Sequence, residues 1–117
     1  MSIFSRIIAR EIPADIVFES DAVIAFKDIA PQAPVHLLVV PKTEEYENVA
    51  QLAAGDPALL AEIVATAEKL AVEHSDGDYR LVFNTGESAG QTVFHVHAHV
   101  LADLHRAGHL QEGTLAE

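Results

Sequence analysis

The stretch Phe94-His95-Val96-His97-Ala98-His99-Val100-Leu101 constrains this chain more than any other, because histidine alternates with apolar residues over five positions. A period of two is the pattern of a half-buried β-strand, whose side chains point to opposite faces in turn. The spacing therefore predicts a strand from Thr92 to Leu101 that carries His95, His97 and His99 on one face. Any fold that accepts this strand has to give each of the imidazoles a hydrogen-bond partner, since a buried polar group without one is strongly destabilising.

The rest of the chain supplies neighbours for such a strand. Ile3, Phe4, Ile7 and Ile8 form an apolar stripe that fits a short amphipathic helix over residues 2–9, ended by Ile12-Pro13. Ile16–Glu19 and Ala22–Phe26 are β-rich runs separated by the turn pair Ser20-Asp21, so they should pair antiparallel. Two prolines make residues 28–34 a loop, after which Val35–Val40 resumes as a strand stopped by Pro41, with His36 as its polar side chain. From Asp56-Pro57 to His74 the Ala-, Leu- and Glu-rich sequence reads as the long helix, with Asp56 as N-cap and Gly77 just past the end. Tyr79–Asn84 is a fourth strand, joined to the histidine strand by the segment Thr85 to Gln91. Helix, three strands, helix, two strands predicts an α+β domain with a five-stranded, mostly antiparallel sheet, one long and one short helix.

At 117 residues, half of them apolar, one domain with a core of its own is expected over residues 1–117, the polar stretch from Asp103 onward forming a tail. The chain contains no cysteine, which excludes disulfides and thiolate metal sites within it and points to a reducing cytoplasm. Arg6 interrupts the short apolar run at the N-terminus, so it is not read as a secretory signal, and no stretch approaches the roughly 18 apolar residues of a membrane span. A formal charge of -11 repels a nucleic-acid backbone, which argues against polymeric DNA or RNA as partner. It does not exclude a small phosphate ester bound locally by neutral donors.

Three readings of the histidine strand compete: a satisfied structural cluster, a metal site, and nucleophilic or acid–base chemistry. His74, His105 and His109 stand alone and read as ordinary residues. Along a strand His95 and His99 have Cα atoms roughly 13 Å apart, too far for the three imidazoles to close on one ion unless the strand bends. At most two could be ligands, with a carboxylate or His36 completing the shell. Upstream, Asn84-Thr85-Gly86-Glu87-Ser88-Ala89-Gly90-Gln91-Thr92 brings glycine, amide and hydroxyl groups next to the histidines, as an oxyanion cradle would require.

The motif His95-Val-His-Ala-His-Val-Leu101 resembles the H-φ-H-φ-H-φ-φ signature of the histidine-triad (HIT) family, and residues 25–42 resemble the Hint branch of that family. The similarity runs from about Ile3 to Leu101. The resemblance implies that His97 attacks an α-phosphorus to form a transient nucleotidyl-histidine. It implies that His99 contacts the phosphate and helps protonate the leaving group, while His95 and His36 orient the reacting imidazole. Asn84, the Gly90 backbone and Thr92 then hold the phosphate and leaving group, Thr92 standing where many relatives have serine. Asp28 takes the place of the acid that accepts from ribose hydroxyls, although alone it reads as well as a loop carboxylate capping local N–H groups. Ile3, Phe4, Ile7, Phe26, Ile29 and Leu38 match the apolar wall around a purine base, and any of them could equally be core.

The resemblance further implies a small purine nucleotide as ligand and a homodimer in which two five-stranded sheets join; no cofactor is expected, charge and hydropathy argue against a polymeric nucleic-acid or membrane partner, and the lack of the Cys-based zinc site of some relatives predicts no structural metal. Three functions are compatible with it: a phosphoramidase-type hydrolase of purine nucleoside monophosphate derivatives, a dinucleoside polyphosphate hydrolase, and a nucleotide-binding interaction protein. The stretch Pro31-Gln-Ala-Pro-Val-His-Leu-Leu-Val-Val-Pro-Lys42 argues against the second. Clustered histidines around an anion predict a bell-shaped pH–rate profile. The chain departs from many Hint relatives in having no tryptophan and a tail without their Pro-rich pattern, which bears on leaving-group preference.

Overall fold

A computed structural model describes residues 2–107; residues 1 and 108–117, including His109 and most of the polar tail, lie outside the described residues. The element order is α1 (Ile3–Ile8), β1 (Ile16–Glu19), β2 (Val23–Lys27), β3 (Val35–Pro41), α2 (Val49–Gly55), α3 (Pro57–His74), β4 (Tyr79–Val82) and β5 (Ala98–Ala102). Short 3₁₀ turns occupy Glu87–Ala89 and Leu104–Ala107, the second lying in the first residues of the expected tail. The strands form one sheet in the order β1-β2-β3-β5-β4, and every neighbouring pair is antiparallel. This is the α+β architecture read from the sequence.

Alternation along the central strands sorts the side chains into two cores. Val23, Ala25, Leu37, Val39, Ala98 and Val100 face α2 and α3, which contribute Leu52, Ile63, Ala67 and Leu70. Ile24, Phe26, Leu38 and Val40 face the other way, against Phe4 and Ile7 of α1. His36 and His99 belong to this second face by the same alternation, so the short helix covers the side of the sheet that carries the chemistry. Helix α3 starts as expected: the Asp56 carboxylate accepts from the Leu59 N–H at 3.0 Å, and Pro57 occupies the first turn, where its missing N–H costs nothing.

The histidine strand is shorter than its alternation predicts. The ladder with β3 runs from Val35↔Ala102 to Val39↔Ala98, so β5 begins at Ala98 and His95 and His97 precede it. Pro41 supplies the physical reason, since a proline has no N–H to continue the ladder toward Val96. The Val96 N–H instead donates to the Tyr46 carbonyl at 3.0 Å. The Gln91 amide spans the same region, donating to the Glu47 and Val93 carbonyls and accepting from the Gly86 N–H. Strand β3 includes Pro41 rather than stopping before it, β4 ends at Val82 rather than Asn84, and helix α2, capped by the Asn48 side chain, had no counterpart in the sequence reading.

Candidate active site

The histidines meet although only one of the triplet lies in a regular strand. His99 on β5 and His36 on β3 are cross-strand diagonal neighbours, and their rings join through His36 Nε2 and His99 Nδ1 at 2.9 Å. The His97 ring lies 5.1 Å from that of His99, centroid to centroid. Phe4 packs edge-on to His97 at 4.9 Å, so α1 both walls the site and restrains that imidazole.

Hydrogen-bond partners fix which nitrogen of each ring carries the proton. A carbonyl can only accept, so the contact of 2.9 Å between His97 Nδ1 and the His95 carbonyl places a proton on Nδ1 and leaves the Nε2 lone pair of neutral His97 free. The backbone N–H of Gln32 donates to His36 Nδ1 at 2.9 Å, so the His36 proton sits on Nε2 and is donated to His99 Nδ1. Neutral His99 must then carry its own proton on Nε2. His95 is fixed in the same way, with Nε2–H donating to the Pro41 carbonyl at 2.7 Å and Nδ1 accepting from Ser2 Oγ at 2.8 Å. Among the described residues no buried side-chain nitrogen or oxygen lacks a partner, so the remaining Nε2 atoms of His97 and His99 are those open to the cavity they line.

That cavity has a volume of about 440 Å³. Its apolar wall contains Ile3, Phe4, Ile7, Phe26, Ile29 and Leu38, and its polar end contains Asp28, His36, Gly90, Thr92, His97 and His99. Two sequence-selected residues stand apart from it. His95 is buried behind His97 and acts through backbone and hydroxyl contacts, and Asn84 follows β4 outside the cavity lining. Ile29 is 93% exposed and forms rim rather than core. Gly90 has φ 98°, a left-handed conformation that favours glycine, and its N–H donates to the Glu87 carbonyl, so what it offers a ligand is close approach of the backbone. Asp28 combines both roles considered for it: Oδ1 accepts from the Ala30 N–H at 2.8 Å, while Oδ2 lies 3.4 Å from His36 Nε2 at the cavity.

Burial pushes the pKa of His97 below 6.5, opposed by its bond to the His95 carbonyl. Burial lowers His99 further, to about 4, assisted by the neighbouring His97 and His36. His36 is also lowered by burial, with Asp28 pulling the other way. All three imidazoles are therefore neutral at pH 7, and the cavity presents one ring nitrogen with a lone pair and another with a proton. Asp28, His36 and His99 bring possible ligand atoms within 4.8 Å of one another. The Gln32 N–H keeps the His36 proton on Nε2, however, and a protonated nitrogen cannot ligate, which favours the hydrogen-bonded arrangement over a metal site. A second hollow of similar volume, about 430 Å³, holds the carboxylates of Asp21, Glu45, Asp56 and Glu62 against one cation, Lys42, which is already paired with Glu19, a balance poorly suited to a phosphate.

The histidines' supporting partners escaped the sequence reading. Ser2 carries no motif, Gln32 lies within the family-like stretch but acts through its backbone N–H, and the Pro41 carbonyl is backbone. Lys27, Ile12, Pro13 and Val93 also line the cavity without having been selected.

Fold and site together define an α+β protein that offers a lone-pair nitrogen and a ring N–H to the polar end of an apolar cavity. Over residues 1–113 the chain matches the family described as scavenger mRNA decapping enzyme C-terminal binding. It is 49% identical over 102 residues to an HIT-like protein of Synechococcus elongatus, covering 86% of this chain and 88% of that relative. It is 42% identical over 102 residues to the purine nucleoside phosphoramidase of Escherichia coli, covering 86% of this chain and 85% of the relative. The crystal structure of an HIT family hydrolase from Legionella pneumophila superposes with a TM-score of 0.81 at 44% identity, over 88% of this chain and 93% of that one. The chain belongs to the histidine-triad family.

Proposed function

We propose that the chain hydrolyses purine nucleoside monophosphate derivatives of the phosphoramidate type at the α-phosphorus. The observation that carries this reading is the opposite protonation of two neighbouring cavity nitrogens, His97 Nε2 and His99 Nε2. In the first step the His97 Nε2 lone pair forms a bond to phosphorus and the P–N bond breaks. The departing nitrogen takes the proton of His99 Nε2–H, and the nucleotide is left on His97, whose ring becomes a cation that balances the negative charge developed on His99. In the second step water attacks phosphorus, its proton returns to His99 Nε2, and the P–N bond to His97 breaks to release the nucleoside monophosphate. Thr92 at the mouth and the close backbone approach at Gly90 contact the phosphate; Asn84, given a leaving-group role by the family resemblance, lies outside the cavity lining. Asp28 Oδ2 accepts from the ribose hydroxyls, and the wall of Ile3, Phe4, Ile7, Phe26, Ile29 and Leu38 encloses the base. A purine nucleoside phosphoramidase among the relatives at 42% identity supports the substrate class.

The working form is proposed to be a cytoplasmic homodimer with a continuous sheet, since β1 and β4 both end the sheet with an unpaired edge. Light scattering that returns a monomer at micromolar concentration counts against it. For the activity, turnover of a fluorogenic adenosine phosphoramidate is compared with that of a diadenosine polyphosphate. Wild type should prefer the phosphoramidate, and His97→Ala should lose about a thousandfold or more of the rate while still binding AMP. Turnover of neither substrate, with AMP bound normally, replaces the hydrolase with a nucleotide-binding module. Preference for the polyphosphate replaces the phosphoramidase reading.

A further inference from the structure

We infer that Ser2 is a positioning residue for the reaction, because its hydroxyl links the N-terminus of α1 to the backbone that holds the nucleophilic His97. This inference rests on the hydrolase reading above for its kinetic part alone.

Three contacts converge on the Ser2 hydroxyl. Its Oγ accepts from the Ser5 N–H at 3.1 Å, capping α1, and lies 3.2 Å from Ser5 Oγ. It also meets His95 Nδ1 at 2.8 Å across 93 positions of sequence. The Pro41 carbonyl takes the His95 proton on Nε2, so Nδ1 has only a lone pair and Ser2 Oγ–H must be the donor. His95 is 1% exposed, and with both nitrogens occupied its ring has no freedom to turn. The carbonyl of the same residue accepts from His97 Nδ1–H at 2.9 Å. Ser2 thus holds the His95 ring, the His95 backbone holds the His97 tautomer, and that tautomer leaves the reacting lone pair on Nε2.

The same hydroxyl anchors the cavity wall. Helix α1 carries Ile3, Phe4 and Ile7 into the cavity, and Phe4 touches both His95 and His97 at ring distances of 6.0 and 4.9 Å. Glu44 borders this network as well, its carboxyl held below the usual range by a hydrogen bond from Ser5. A substrate base that packs on α1 is therefore coupled, through one hydroxyl donor, to the orientation of the nucleophile. Small misplacements of a reacting group have large kinetic effects, which is why a residue that never touches substrate can matter.

Capping and donation are separable by substitution. Glycine serves as an N-cap nearly as well as serine but has no hydroxyl, whereas threonine keeps both functions. Wild type, Ser2→Gly, Ser2→Ala and Ser2→Thr are compared by phosphoramidate kinetics, thermal unfolding and ¹⁵N NMR of the histidine rings. Expected are an about tenfold lower kcat for the Gly and Ala variants with KM within about twofold, and recovery of most of the rate in Ser2→Thr. The NMR of the resting protein should show His97 as a single Nδ1–H tautomer in wild type and Ser2→Thr, and as a mixture in Ser2→Gly. Unchanged ring signals of His95 and His97 in Ser2→Gly overturn the inference, as does a rate loss in Ser2→Ala that Ser2→Gly recovers, since that assigns the effect to capping. If wild type turns over no phosphoramidate, the hydrolase reading fails while the NMR comparison still decides the role of Ser2.

Discussion

At the scale of single residues, protonation decides what the cavity can do. His97 and His99 are chemically identical side chains two positions apart, yet the His95 carbonyl puts one proton on Nδ1 and His36 puts the other on Nε2. Burial then keeps both rings uncharged near neutrality. This alters the pH dependence expected from clustered histidines alone. With His97 lowered and His99 at about 4, neither group titrates on the alkaline side of neutrality, so the free protein's kcat/KM should be flat there instead of bell-shaped. The rate should fall only when His97 gains a proton and loses its lone pair, at a pH below the ordinary 6.5. A kcat/KM profile between pH 4 and 9 checks this, and an acid limb centred above 6.5 is incompatible with it.

At the scale of elements, the sheet and its helices separate stability from chemistry. Helix α3 packs on the face opposite the cavity, and its Asp56 cap touches none of the cavity residues. Asp56→Ala should therefore cost about 1 kcal/mol in urea unfolding while leaving kcat and KM unchanged. Loss of activity in a still-folded Asp56→Ala protein contradicts that division. The same elements show which features the sequence carried openly. Proline and aspartate at the start of α3, the turn pair between β1 and β2, and the apolar run that follows the two prolines before β3 are local signals, and each element formed where they pointed, β3 running one residue further to include Pro41. Alternation from His95 to Leu101 indicated a strand, but pairing depends on the opposite strand, and Pro41 across the sheet ended the ladder at Ala98. Ser2 and the Pro41 carbonyl reach His95 across 93 and 54 positions, so no spacing rule could find them, and Gln32, only four residues before His36, acts through a backbone N–H that no side-chain pattern reveals. The cavity wall was legible through family resemblance, because a cavity-lining isoleucine and a core isoleucine look alike in sequence.

At the scale of the whole molecule, burying neutral imidazoles between α1 and the sheet links folding to pH. An ordinary histidine titrates near 6.5 in the unfolded chain, whereas His99 in the folded protein titrates at about 4. Between those values the unfolded chain binds a proton that the folded one refuses, so stability rises with pH across this window. The contribution is complete above about pH 6.5, drains away as pH falls toward 4, and is flat below, where both states are protonated. A gap of this size corresponds to roughly 3 kcal/mol, a large part of the 5–15 kcal/mol typical of such domains. His36 and His97 are lowered in the same direction and deepen the loss. An opposing effect comes from the formal charge of -11, because neutralising carboxylates near pH 4 relieves self-repulsion. Comparing wild type with His99→Gln cancels that common contribution. In urea titrations the variant should gain about 2 kcal/mol on wild type when the pH is lowered from 7.5 to 5. If the difference between the two proteins does not change with pH, the fold does not hold His99 below the ordinary histidine value.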